Sequence, residues 1–327
     1  MSLEQKAGEL IEKYKMVSPG DKILAGFSGG SDSSALLYFL VRKYGGENIC
    51  GAHLNHGIRG DALADEQFAR EICGKYGIEL FVERADVPEL ARKYKKGVEE
   101  AGRDARYDFF ARVCGEIGGS VKVCTAHNAG DNTESVLINL ARGAGVGGLC
   151  GVSPVAGNII RPLLSCEKRD ILDYCRENNI GFIEDKSNAD ELYTRNFIRH
   201  SVAAKLKERY ACLDSSVLRM SEIMRDTADY MDGQAAHILK DYAGGVPAVV
   251  FRGLHKALRR IIIIKMCGGL DFNLVEELDG AVMSGKLMRQ DLPGNMAAEV
   301  RGGEFRVYME ADGYRAGRRE QKRNKKI

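Results

Sequence analysis

The segment Ser28-Gly29-Gly30-Ser31-Asp32-Ser33 joins a run that reads as a buried strand, KILAGF (22–27), to one that reads as a helix, SDSSALLYFLVRKY. The two glycines let the backbone turn sharply and bring N–H groups close to an anion, and the helix start adds partial positive charge. Hydroxyls at Ser28, Ser31 and Ser33 can add donors, so phosphate binding is one reading. The other is a Ser- or Asp-capped helix after a glycine turn. No lysine stands in the loop, so this is not a G-x-x-x-x-G-K-[ST] phosphate loop.

Polar groups also follow the later strand-like runs. After NICGAHL comes His53-Leu54-Asn55-His56-Gly57-Ile58-Arg59, either a cation-bearing rim or a plain polar loop. GVEEAGRDARYDFF places Glu99, Arg103 and Arg106 at i, i+4, i+7, the pattern of a solvated, ion-paired face or of an anion-binding edge. After VKVCTAH (121–127), His127, Asp131 and Glu134 repeat that spacing. Two carboxylates and an imidazole at a strand-to-helix junction could hold Mg²⁺, position a phosphate, or simply start a helix. Arg142 and the glycine-rich GAGVGGLCG come next. RPLL (161–164) and EDKSNADELYTRNFIRH then bring Arg161, Asp185, Asn188, Arg195, Asn196 and Arg199. Their guanidinium and amide groups suit a nucleic-acid backbone or a base edge, or form a turn followed by a basic helix.

The elements that must position these groups alternate strand and helix over the first 200 residues. Such alternation implies right-handed β-α-β crossovers, with ligands bound beyond the carboxyl ends of the strands. The expected fold is α/β: a parallel, five-stranded-type sheet with helices on both faces, plus a smaller helix-rich C-terminal domain. The boundaries read from the pattern are 1–212 for the first domain, 213–310 for the second, and 311–327 for a tail. From residue 313 onward the chain carries seven Lys/Arg against one Glu, in a protein whose formal net charge is +2. Such a tail is expected to be disordered when free, and either solubilises the chain or draws in a polyanion with strong salt dependence.

Composition narrows the class. The 327 residues are 44% hydrophobic and 29% charged, with a mean hydropathy of −0.26, which excludes collagen-like, disordered and membrane-spanning chains. The apolar run Ile261–Ile264 is far short of a membrane span. The charged N-terminus has no apolar core of a secretory signal. Nine cysteines without a C-x-x-C pair favour reduced thiols in a cytoplasmic protein and no zinc or iron–sulfur framework.

The S-G-G-x-D-S loop resembles the PP-loop of the N-type ATP pyrophosphatases, enzymes that split ATP between its α and β phosphates and adenylate a substrate. Within that superfamily the other motifs resemble tRNA lysidine synthetases. HLNHGIRGDALADE is similar to their H-x-N-H-x-L-R region, with Ile58 where Leu is usual. EEAGRDARY resembles their E-x-x-A-R-x-x-R-Y helix, with Gly102 for Ala. TAHNAGDNTES resembles T-A-H-H-x-D-D-Q-x-E-T, departing at Asn128, Gly130, Asn132 and Ser135. Asp185, Ser187, Asn188, Arg195, Asn196, Ile198 and Arg199 match D-x-S-N…R-N-x-I-R, and SGKLMRQDLPG (284–294) resembles the family's first C-terminal domain. The resemblance runs over roughly residues 20–310 and looks like a short form.

It implies ATP-dependent ligation of free lysine to the wobble cytidine of the CAU-anticodon isoleucine tRNA, with Mg²⁺. Ser28, Gly29, Gly30, Ser31, Asp32, Ser33, His53 and Arg142 would bind ATP. Asp32, Asp131 and Glu134 would hold the metal and, with His127 and Arg106, serve the chemistry. Arg103, Arg161, Asp185, Asn188, Arg195, Asn196 and Arg199 would meet the tRNA. A homodimer is compatible with this reading. A PP-loop tRNA thiolase and a non-catalytic RNA-binding relative are the alternatives.

Overall fold

The computed structural model describes residues 1–57, 62–183, 194–242 and 244–310. Ile58, Arg59, Asp185, Ser187, Asn188 and the basic tail lie outside the described residues. The chain divides into two compact units, Met1–Arg225 and Asp226–Ile327.

The first unit opens with α1 (Leu3–Lys13), β1 (Lys22–Gly26), α2 (Ser31–Tyr44), β2 (Ile49–Asn55), α3 (Ala62–Lys75) and β3 (Glu79–Arg84). It continues through α4 (Val87–Tyr94), α5 (Val98–Ile117), β4 (Val121–Cys124), α6 (Ala129–Ala141), α7 (Val146–Leu149), β5 (Val155–Ala156) and β6 (Ile159–Ile160). It closes with α8 (Lys168–Glu177), α9 (Thr194–Phe197), a π-helical stretch over Ile198–Ala203, α10 (Ala204–Arg209) and the first part of α11 (Leu213–Asp241).

The sheet order is β3-β2-β1-β4-β6-β5. Five strands run parallel and β5 is antiparallel to β6, so the expected parallel α/β sheet is borne out with one added edge strand. Leu24 on β1 sits opposite Cys50 on β2 and Val123 on β4. The middles of these strands are largely apolar because helices cover both faces. One face packs Ile23, Ala25 and Phe27 against α1, α2, α3 and α8; the other packs Leu24, Ala52 and Val123 against Phe109, Phe110 and Val113 of α5. Gly26 is the closest approach of the second layer: a Cβ there would lie 2.9 Å from Cζ of Phe110. From β1 the chain winds outward to β3 and then returns to place β4 on the other side of β1. That reversal is the switch point at which an open α/β sheet binds ligands.

The second unit contains the rest of α11, β7 (Val246–Pro247), α12 (Ala248–Gly253), α13 (Lys256–Cys267), α14 (Phe272–Ser284), β8 (Met288–Leu292), β9 (Met296–Arg301) and β10 (Glu304–Met309). Its strands form an antiparallel sheet in the order β7-β10-β9-β8, a larger sheet element than the helix-rich expectation. Phe251 and Phe305 meet edge to face at 5.8 Å in its core, beside Ile262, Ile263 and Leu278. Arg259 pairs with the buried Asp279 through both oxygens. The division between the units falls inside α11 rather than ahead of it, where the change of sequence pattern had placed it. Among the described residues no helix is long and apolar enough to cross a membrane.

Candidate active site

The loops after β1 and β4 flank the switch point. After β1, Gly29 has φ +86°, and a Cβ there would press on Ile183 and Phe68 at 3.2 and 3.4 Å, so conformation and space both demand glycine. Gly30 is the N-cap of α2 and offers no side chain to its first-turn N–H groups. The serines stitch the turn together. Ser33 Oγ donates to the Gly30 carbonyl at 3.0 Å and lies 3.1 Å from Ser28 Oγ, and Ser34 Oγ donates to the Gly29 carbonyl. Ser33 is therefore part of the turn's scaffold, while Ser28 is exposed.

The cation missing from the loop arrives from elsewhere. Lys168, the first residue of α8, donates from Nζ to Ser31 Oγ at 2.8 Å and to both carboxylate oxygens of Asp32 at 2.9 and 2.8 Å. No sequence signal marks it, because nothing local ties a lysine in EKRDI to a loop 136 positions earlier.

After β4, Asn128 caps α6. Its Oδ1 accepts from the N–H groups of Gly130 and Asp131, and Asp131 returns the bond to the Asn128 N–H, a reciprocal capping box. Asn128 Nδ2 also reaches Asp32 Oδ1 at 3.3 Å, tying the two loops together. Behind the cap, Thr133 Oγ1 donates to Asp214 at 2.7 Å, and Lys207 pairs with the other oxygen of Asp214 at 2.6 Å. A Cβ on Gly130 would stand 3.9 Å from both Lys207 Nζ and Asp214 Oδ2, so charge from α10 and α11 already surrounds this departure from the family motif. Asn132, fully buried, accepts from the Val152 N–H and donates to Ser221.

Asp131 and Glu134 do not stand free for a metal. Glu134 is buried, with Arg195 Nε at 2.8 Å and Arg199 Nε at 2.5 Å; Asp131 takes Arg195 Nη2 at 2.9 Å and Arg199 Nη2 at 3.3 Å. Two acids and two guanidiniums close on one another, which also removes these faces of Arg195 and Arg199 from the expected RNA contact. Among the described residues no three His, Cys, Asp or Glu side chains converge as a metal cage. The expected trio of Asp32, Asp131 and Glu134 is thus not assembled, because arginines compete for two of its members. Asn196 lies on α9 between these arginines.

His127 accepts or donates at Nδ1 to Thr125 Oγ1, 3.0 Å away. Burial, then the charges of Arg161, Arg195, Arg103 and Arg106, push its pKa down to about 3. Arg103 and Arg106 are exposed on α5; Arg103 stacks over Tyr107 at 5.2 Å and Arg106 approaches His56 at 3.4 Å. Arg161 departs from expectation. It is 5% exposed and clamps the Ser153 carbonyl at 2.6 Å, too deep for a tRNA contact. Arg142 caps the far end of α6, about 20 Å along the 13-residue helix from Asn128, and does not join the loop. His53 is buried on β2 with Nδ1 2.9 Å from the Phe27 carbonyl.

Because the ring of His127 is held neutral, its NMR signals should not titrate between pH 8 and pH 5. The unfolded ring binds a proton below about pH 6.5 and the folded one does not, so this residue lowers stability as pH falls from there toward 3. A His127 titration with a midpoint near 6.5 in the folded protein would show that the arginines do not act on it.

This arrangement places the molecule among the open α/β proteins whose ligand loops meet at a switch point of a parallel sheet. A family model described as the PP-loop domain matches residues 1–206. The tRNA(Ile)-lysidine synthase of Chlorobaculum tepidum is 38% identical over 245 residues, covering 74% of this chain and 74% of that protein. Its counterpart in Thermosipho africanus is 41% identical over 224 residues, covering 68% and 52%. The one from Caldanaerobacter subterraneus is 33% identical over 311 residues, covering 90% and 66%. The chain thus spans between about half and three quarters of the length of these relatives. Among solved structures, the U34-tRNA thiolase NcsA from Methanococcus maripaludis matches with a TM-score of 0.57 at 19% identity over 68% of this chain and 78% of that one, a likeness of fold. The chain belongs to the tRNA(Ile)-lysidine synthase family of PP-loop proteins. The family resemblance carried by the motifs is borne out.

Proposed function

We propose that the protein ligates lysine to the wobble cytidine of the CAU-anticodon isoleucine tRNA at the expense of ATP, which leaves as AMP and pyrophosphate. The observation that carries this reading is the uncapped glycine turn at the switch point, with Lys168 beside it and guanidinium groups across from it. N–H groups at the start of α2 and the Lys168 ammonium suit a triphosphate. The cytosine carbonyl oxygen attacks the α-phosphate, pyrophosphate departs, and the deprotonated lysine ε-amine then displaces AMP. Arg103 and Arg106, exposed on α5, suit the tRNA backbone near the adenylated base, which must leave its stack to enter. His127, neutral, can orient but not neutralise phosphate. Glu134 fixes Arg195 and Arg199 in place, a positioning role.

Mg²⁺, when bound with ATP, would neutralise charge on the departing pyrophosphate. Asp32 is the carboxylate that would hold it, since its pair with Lys168 is open to solvent and the ammonium can turn to the phosphates, whereas Asp131 and Glu134 are each held by two guanidiniums. A metal carried by phosphates needs only one or two protein acids.

The thiolase alternative gains no support from the buried cysteines. Burial pushes the thiols of Cys73, Cys175 and Cys267 up to about 11 and that of Cys166 up to about 12, which disfavours at these positions the thiolate that sulfur transfer requires.

The direct test is mass analysis of nucleosides after incubating the protein with ATP, lysine and the CAU-anticodon tRNA; lysidine is expected, and unmodified or thiolated cytidine would overturn the assignment. Lys168→Met should raise KM for ATP roughly 10- to 100-fold through lost charge-assisted bonds. Its stability should change by less than ~1 kcal/mol, because the Lys168–Asp32 pair is half-exposed. An unchanged KM would remove Lys168 from the site.

A further inference from the structure

The glycine turn has two unlike flanks. Toward β4 stand His127, Asp131, Glu134 and the guanidinium groups. Toward β2 the surroundings are apolar: Phe27 stacks on Phe68 of α3 with ring centroids 6.3 Å apart, and Gly29 lies hard against Phe68 and Ile183. A flat heterocycle belongs on the second flank and a polyanion's reacting end on the first.

Two buried polar side chains of β2, His53 and Asn55, share a strand face toward the apolar flank, and Asn55 Oδ1 accepts from the Gly57 N–H. Ala52 and Leu54 pack into the α5 core, so by the two-residue period of a strand His53 faces the opposite layer, the one that holds Phe27 and Phe68. His53 is 3% exposed and its Nδ1 lies 2.9 Å from the Phe27 carbonyl oxygen. A carbonyl can only accept, so Nδ1 carries the ring proton and donates. In the neutral ring Nε2 then presents a lone pair, and among the described residues it has no hydrogen-bond partner. A buried acceptor is costly to leave unpaired.

We propose that His53 Nε2 accepts from the 6-amino group of the ATP adenine ring and so selects the nucleotide. This rests on the ATP-dependent reading above and adds to it the residue that reads the base. A 6-aminopurine offers an N–H where a 6-oxopurine offers a second acceptor. Carbonyl oxygen facing Nε2 would leave two buried acceptors unpaired. Moving the ring proton to Nε2 gives no escape, because Nδ1 would then face the Phe27 carbonyl with its own lone pair. Sites built around one hydrogen bond reject analogues that cannot make it.

The experiment compares ATP, ITP and purine riboside triphosphate, which carries hydrogen at C6, with the full-length protein. Binding is measured by calorimetry and tRNA-dependent pyrophosphate release by kcat/KM. For the wild type, ITP is expected at least ~100-fold below ATP and purine riboside triphosphate roughly 10-fold below it. His53→Gln, whose amide can turn either its oxygen or its nitrogen to the base, should narrow the ATP-to-ITP ratio at least ~10-fold, with KM moving far more than kcat. A wild type that accepts ITP as well as ATP overturns the proposal whether or not the variant folds, and so does an unchanged ratio in a folded His53→Gln. Discrimination in binding without pyrophosphate release would leave His53 as the base reader and sink the ligase reading instead. Absence of ATP binding would overturn both.

Discussion

Asp32→Asn is expected to fold and to lose at least ~100-fold in adenylation, about 3 kcal/mol of transition-state stabilisation. The carboxylate of Asp32 gathers Lys168 and Asn128 from opposite sides of the switch point. It is also the one acid beside the turn that no arginine claims in an ion pair among the described residues. Asparagine keeps the size and one oxygen but not the charge that attracts a metal or aligns the Lys168 ammonium. Stability should hold within ~1 kcal/mol, since the pair with Lys168 is open to solvent. ATP-dependent pyrophosphate release and a melting curve measured together check both halves. A well-folded variant that adenylates normally would remove Asp32 from the chemistry.

Glu134→Ala should have the largest effect on stability, about 3 kcal/mol. Its carboxylate is 4% exposed and is the meeting point of Arg195 and Arg199. Removing it leaves two guanidiniums crowded together with, among the described residues, Asp131 as the acid they still share in ion pairs. The estimate sits at the low end for a broken buried pair because both arginines keep some contact with water. Adding Arg199→Met to Glu134→Ala, which leaves Arg195 paired with Asp131, should recover much of the loss, because the cost lies in uncompensated charge rather than in a missing bond. Denaturant unfolding of the single and double variants decides the matter. If the double variant is destabilised by the sum of its parts, the cluster does not act as a unit.

The strands, their alternation with helices and the glycine turn were legible in the sequence because each is set by local pattern: apolar runs, period and turn chemistry. So were His127 and the carboxylates of α6, whose spacing places them at a helix start. What spacing could not convey is which distant charges meet. Lys168 reaches Asp32 from another helix, and Arg195 and Arg199 close on the acids they were expected to leave for a metal. Arg161 has the composition of a surface contact but the burial of a clamp, since its partner is a backbone carbonyl that no residue pattern announces. The sheet of the second unit is less legible because helical patterns dominate the sequence before it and its two-residue β7 carries no pattern of its own.

α11 bears on how the first unit can be cut out and recombined. Its first turns, although they follow the point where the sequence changes character, hold Thr133 through Asp214, Asn132 through Ser221, and the Cys150 carbonyl through Arg225. A gene fragment stopped at residue 212 would strip three polar anchors from α6 and its neighbouring loop and strand Lys207 without a counter-ion. One carried through Arg225 keeps them all, and a foreign domain spliced on should therefore be joined in helical phase beyond that arginine, with the shared helix as its handle.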